Sequence, residues 1–203
     1  MCKSPDGYGS SALHSNVKFL VAISVAVLFV SAALATPVQY RRVGNLEARQ
    51  ADCADPNAAV ALLRALNPTS DDHFYTTNAT EMEAFLANDG YSAQGITAFV
   101  FPTQFGTTVP LYRLFNPSMV DHFYTISESS RDAAASQHGY VYEGIQTYVY
   151  PPTDQVCGSV VLQEAFNSAV EDHFYTTNAT EMEYDLTHHN YIEEGISAFV
   201  LPP

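Results

Sequence analysis

Three stretches of the 203-residue chain align with one another without gaps through their cores, and this repetition constrains the fold more than any other feature. They are LLRALNPTSDDHFYTTNATEMEAFLANDGYSAQGITAFVF from Leu62, LYRLFNPSMVDHFYTISESSRDAAASQHGYVYEGIQTYVY from Leu111, and LQEAFNSAVEDHFYTTNATEMEYDLTHHNYIEEGISAFVL from Leu162. His73, His122 and His173 lie 49 and 51 residues apart, and Gly95, Gly144 and Gly195 keep those intervals. A repeat of this length cannot bury its apolar faces alone, so the copies must pack on one another. Residues 60–203 are read as one triplicated domain of units 60–109, 110–159 and 160–203.

Each unit reads the same way. The opening segment (Leu111-Tyr112-Arg113-Leu114-Phe115 in unit two) and the following His-Phe-Tyr-Thr are short aromatic-rich strands. Asn, Pro and Asp between them favour a turn, so the pair forms a hairpin. Asn78, Ser127 and Asn178 follow at equivalent places, and Glu81 and Glu181 stand three residues beyond the two asparagines, the spacing of a capping box. A helix is expected to start there and to stop near Gly90, Gly139 and Asn190, residues that tolerate a left-handed backbone. In the last strand, Ile145, Thr147 and Val149 alternate with Gln146, Tyr148 and Tyr150. The small face is expected at a common centre and the aromatic face under a helix. The expected fold is α+β: three ββαβ repeats of about 50 residues packed around a pseudo-threefold axis. The alternative is an all-β ring, β-trefoil-like or propeller-like.

The N-terminal third is different in kind. Met1–Lys18 is polar with Lys3 and Lys18, and Phe19–Ala35 is an unbroken small and apolar run ending Ala33-Leu34-Ala35. That order is the one expected of a secretory signal peptide, residues 1–35. An uncleaved anchor is the other reading, the run being at the lower limit for spanning a bilayer. Residues 36–59 lack periodicity and read as a linker or pro-segment, with Arg42 and Arg49 as processing points or as chance arginines of a flexible tail. Once Cys2 leaves with the signal, Cys53 and Cys157 remain, an even count in a secreted chain, and a disulfide between them is expected. Two free thiols or an intermolecular pair are the alternative.

Charge excludes one class of partner. Eight Lys and Arg against 22 Asp and Glu give a net charge of -14, which repels phosphate backbones, so nucleic acid is not an expected partner. No membrane partner is expected after signal cleavage.

Leu-Tyr-Arg-Leu-Phe-Asn-Pro, Asp-His-Phe-Tyr-Thr and Gly-Tyr-x-Tyr-Glu-Gly-Ile, all complete in unit two, resemble a secreted repeat family of fungi and bacteria catalogued as a domain of unknown function. The resemblance spans essentially residues 60–203. It implies an extracellular repeat module, sometimes joined to hydrolases of external polymers, and it brings no catalytic residues. Unit three departs from the pattern, with Glu164 where Arg64 and Arg113 stand and Ser168 in place of proline.

Two kinds of site are weighed. His73, His122 and His173 could supply three nitrogens to a zinc ion. Their recurrence in every unit favours a structural role instead, each ring bonding a carboxylate or carbonyl, and no metal or cofactor is expected. His188 and His189 are unrepeated and read as helix-terminal. There is no G-x-S-x-G elbow, H-E-x-x-H pair or phosphate-cradling glycine loop, so catalysis is not expected. Glu143, Glu194, Glu81 and Glu181 leave an extracellular hydrolase as one alternative. The expected function is a secreted, non-catalytic module binding an extracellular glycan or cell-wall polymer, with Tyr91, Arg113, Tyr112, Tyr140, Tyr142 and Tyr191 as ligand-binding candidates. A structural or protein-interaction surface without a small ligand is the other alternative. Asn78 and Asn178 begin N-x-T sequons and are candidate glycosylation sites.

Overall fold

The protein is described here by a computed structural model that covers residues 53–153 and 155–203. The expected signal peptide and processing points lie outside the described residues. Unit one runs β1 (Val60–Asn67), β2 (Asp72–Thr76), α1 (Ala79–Asn88) and β3 (Ser92–Val100). Unit two runs β4 (Val109–Asn116), β5 (Asp121–Thr125), α2 (Glu128–Gln137) and β6 (Val141–Val149). Unit three runs β7 (Val160–Asn167), β8 (Asp172–Thr176), α3 (Ala179–His188) and β9 (Ile192–Val200). In each unit the first strand is the middle one of an antiparallel three-stranded sheet, in the orders β2-β1-β3, β5-β4-β6 and β8-β7-β9.

The expected α+β class is corrected. Among the described residues strand outweighs helix by 46% to 22%, and the three sheets remain separate. The trefoil-like and propeller-like alternatives fail with it, since no closed barrel forms and each unit keeps a helix. The fold is β-rich, with three similar units and three short helices. Ten residues of helix make fewer than three turns, too little to form a layer of their own.

Local chemistry sets the element ends. The Asn78 and Asn178 side chains each accept from two amides of the first helical turn, and the Ser127 hydroxyl accepts from Ser130 N. Gly90, Gly139 and Asn190 close the helices with positive φ of 79°, 76° and 60°. The hairpin asparagines serve two elements. Oδ1 of Asn67, Asn116 and Asn167 accepts from a turn amide two residues on, and Nδ2 donates to the carbonyl of Asp89, His138 or His189 at the helix end.

The central core takes Leu62, Tyr75, Ala98 and Val100 from unit one with Leu111, Tyr124, Val149, Leu162, Tyr175, Ala198 and Val200 from the others. Small residues of the last strands do face this centre. The aromatic face, however, is not under a helix: Phe101, Tyr150 and Phe199 meet one another beside Ala54, Val156 and Cys157. Each helix packs instead on the outer face of its own hairpin, as Met82 does with Ala65 and Phe74. Period two explains the split, because Phe74 and Tyr75 are neighbours on opposite faces of β2. Register shifts between Leu62 and Leu63 and between Arg64 and Ala65, and at the equivalent places, leave two extra residues in each last strand. These bulges break the alternation and turn Ile96, Ile145 and Ile196 to solvent.

The units close on one another cyclically. Backbone bridges Phe99–Leu201, Tyr148–Phe101 and Phe199–Tyr150 join the ends of the three last strands in one rotational sense. A disulfide joins Cys53 to Cys157 across 104 residues of sequence. A loop of that length is worth up to about 4–5 kcal/mol in the chain-entropy account.

Candidate functional site

The Asp-His-Phe-Tyr-Thr pentad builds the junctions between units. His73 donates its backbone N–H to Asp172 Oδ1 at 2.7 Å and sets Nδ1 against Oδ2 at 2.6 Å. His122 holds Asp72 in the same way, and His173 holds Asp121. Each carboxylate also accepts the hydroxyl of a tyrosine in its own unit: Tyr91 on Asp72, Tyr140 on Asp121 and Tyr191 on Asp172. The three aspartates are fully buried, and one oxygen of each lies within 4.8 Å of the others. Burial, then the aspartate charge, pushes all three tyrosine hydroxyls up from their ordinary range.

The pentad tyrosines form a second ring. Tyr75 OH donates to Tyr175 O, Tyr175 OH to Tyr124 O and Tyr124 OH to Tyr75 O, at 2.8–2.9 Å. Each hydroxyl also accepts a backbone N–H from the strand of another unit, at 2.8–3.0 Å. The inner edges of β2, β5 and β8 are thus satisfied by side chains rather than by a ladder.

Arginine and glutamate mark two of the three junctions. Arg113 binds Glu81 through both terminal nitrogens, at 3.0 and 2.8 Å, and Glu143 through Nε at 2.7 Å. Arg64 grips Glu181 at 3.1 and 2.6 Å. Burial alone would raise the Glu81 and Glu181 carboxyls, but their arginine and threonine hydrogen bonds prevail and hold both below the usual carboxylate range. The third junction has neither partner, because Glu164 replaces the arginine and Ser130 stands where Glu81 and Glu181 stand.

Grooves lie between the strands of one unit and the helix of the next. One, of about 610 Å³, runs between unit one (Leu66, Asp71, His73, Gln94) and α3 with its C-cap (Glu181, Tyr184, Asp185, His188, His189). A second, of about 460 Å³, runs between unit three (Phe166, His173, Glu194) and α2 with its flanks (Met119, Ser130, Ala133, Ala134, His138). At the junction bridged by Arg113 and Glu81, Phe85 of α1 stacks on Phe74 at 3.9 Å and reaches His122 at 6.0 Å. The same helix position is Ala134 in α2 and Asp185 in α3, and those smaller or polar side chains leave the other two grooves open. Comparing this one position across the repeats would have revealed the asymmetry from sequence.

The six ligand-binding candidates are not brought together. Tyr91, Tyr140 and Tyr191 are buried with their hydroxyls on aspartates, Tyr112 is buried, and Arg113 is held by two acids and one amide. Only Tyr142 is exposed, at 43%, with Arg131 over its ring and over that of Tyr112. His73, His122 and His173 point to aspartates of neighbouring units rather than to one ion. Tyr184, 53% exposed and stacked on His188 at 4.3 Å, was not among the candidates. The exposed Asn78 and Asn178 commit Oδ1 to their helix caps, which leaves Nδ2 unengaged. Among the described residues no helix is long and apolar enough to cross a membrane.

A protein-family model described as a domain of unknown function, DUF5648, matches residues 61–201. No curated protein and no solved structure matches.

Proposed function

The chain belongs to the DUF5648 family, and on that premise we propose that it is a secreted, non-catalytic module that binds an extracellular glycan or cell-wall polymer in its open inter-unit grooves. The observation that carries the reading is the larger groove. Tyr184 offers a ring face there, while Asp71, Gln94, Asp185 and His188 stand around it with hydrogen-bonding groups. Sugars are held in this manner, by stacking their apolar faces and bonding their rims. Secretion is supported by the apolar run ending Ala33-Leu34-Ala35 and by the Cys53–Cys157 disulfide. Glu164 and Glu194 bring carboxylate oxygens within 4.8 Å of each other, closer than a glycosidase pair needs, yet Glu164 does not line the groove that Glu194 lines.

A protein-interaction role is favoured by a different observation, the exposed apolar side chains Ile96, Val141, Ile145, Ile192 and Ile196 on the last strands. Sedimentation with insoluble chitin, β-glucan and cellulose, competed by their oligomers, separates the readings. Retention on one polymer that falls at least about tenfold in Tyr184→Ala supports glycan binding. Absence of retention on all three transfers the weight to a protein partner, and release of soluble sugar transfers it to a hydrolase.

A further inference from the structure

Unit three carries a side-chain cluster that its sister units do not. Glu164, Glu194 and His173 each bring one ligand atom to within 4.8 Å of the other two. In unit two the equivalents are Arg113, Glu143 and His122, and there the guanidinium lies between the acids, binding Glu143 at 2.7 Å and Glu81 at 2.8 Å. Unit three keeps the acid as Glu194 but replaces the arginine by a second carboxylate, so a cationic centre has become an anionic one. Among the described residues no arginine neutralises it: Arg64 and Arg113 are committed at the other junctions, and Arg131 lies over Tyr112 and Tyr142. Two carboxylates this close, one half-buried and one exposed, are favoured by a cation or a shared proton between them.

The histidine is arranged as a ligand. Its Nδ1 pairs with the buried Asp121 at 2.7 Å, which fixes the ring and leaves Nε2 as the nitrogen available outward. A carboxylate behind an imidazole in this way is the usual outer support of a metal-binding histidine. Glu164 Oε1 sits 2.9 Å from the Tyr175 hydroxyl oxygen, whose proton is shared with Tyr124 O. Glu194 is exposed and rotatable, so it can close the remaining distance to the ~2.0–2.2 Å bonds that zinc makes with nitrogen and oxygen. Both His173 and Glu194 line the 460 Å³ groove, which gives an ion a path in and a side open to water.

We propose that Glu164, Glu194 and His173 Nε2 bind one divalent transition-metal cation of the Zn²⁺ or Mn²⁺ class, in the place that arginine fills in unit two. One nitrogen with two carboxylate oxygens suits these borderline ions better than Ca²⁺, which prefers six or more oxygens. The site does not depend on the glycan reading and stands or falls separately from it.

The test uses the intact, tag-free protein, stripped with chelator and then titrated with Zn²⁺, Mn²⁺ and, as a control, Ca²⁺, by calorimetry and thermal melting. One Zn²⁺ or Mn²⁺ per chain is expected, with the midpoint raised by roughly 5–10 °C at a hundredfold excess over Kd. Glu194→Gln, at an exposed position, should weaken the binding at least about tenfold. Glu164→Arg restores the sister-unit pair with Glu194, and it should abolish binding while melting no lower than the stripped wild type. Absence of saturable binding to the wild type overturns the proposal, as does Glu164→Arg or Glu194→Gln binding as tightly as the wild type.

Discussion

Each residue of the Asp-His-Phe-Tyr-Thr pentad answers a different demand. Asp72 accepts from a histidine of unit two, Phe74 packs under α1, Tyr75 closes the central ring, and Thr76 Oγ1 accepts from Asn78 N at the helix entry. His122 is the most buried of the three histidines, and its removal strips Asp72 of an imidazole partner in a site without water access. His122→Ala is therefore expected to cost about 2–4 kcal/mol in urea unfolding. A loss below about 0.5 kcal/mol would show that the junction does not depend on it. The sequence makes the recurrence of the pentad plain, yet it does not show that each histidine's partner is an aspartate of another unit, 50, 52 or 99 residues away, a pairing set by how the units close. Glu81 was legible as a capping-box residue, but its carboxylate faces Arg113 and Thr76 instead. Its carboxyl is held below the usual range in the folded state, so the stabilisation it brings is present above the unfolded carboxyl pKa of about 4.3 and lost as pH falls through the lower folded value. Glu81→Gln should accordingly be less stable than wild type at pH 7 and lose less stability between pH 5 and pH 3, as read from urea midpoints. Parallel acid limbs for the two proteins would contradict that assignment.

At the level of elements, the strands and helices were readable from caps, turns and periodicity, because those signals are local. The bulges were not, since the first of the two extra residues, Thr97 in β3 and its counterparts in β6 and β9, leaves the written alternation intact while it reverses the side on which Ile96, Ile145 and Ile196 emerge. Nor does periodicity reveal what a helix position faces across a junction. Phe85 and its counterparts Ala134 and Asp185 occupy one helical position, and they decide which junction is filled and which are open. Phe85→Ala is expected to cost about 2–4 kcal/mol and to open a third groove beside His122. A change under about 1 kcal/mol would show that the stacked ring does not support the junction.

Across the molecule, three near-equal units have been made unequal. One junction is plugged by Phe85, one carries Tyr184 and α3's polar face, and one pairs Glu164 with Ser130 in place of an arginine–glutamate bridge. The repeat could be read from sequence, but the cyclic closure arises from hydrogen bonds between residues roughly 50 and 100 positions apart, beyond any local pattern. The central claim, that the open grooves carry binding, is tested most directly by filling the larger one. Asp185→Phe places in α3 the ring that α1 already has, and among the described residues the carboxylate it removes pairs with His189, the helix cap one turn away. The account predicts that wild-type protein sediments with chitin, β-glucan or cellulose and that Asp185→Phe, melting within a few degrees of it, does not. Equal retention of the two proteins on the same polymer would contradict it.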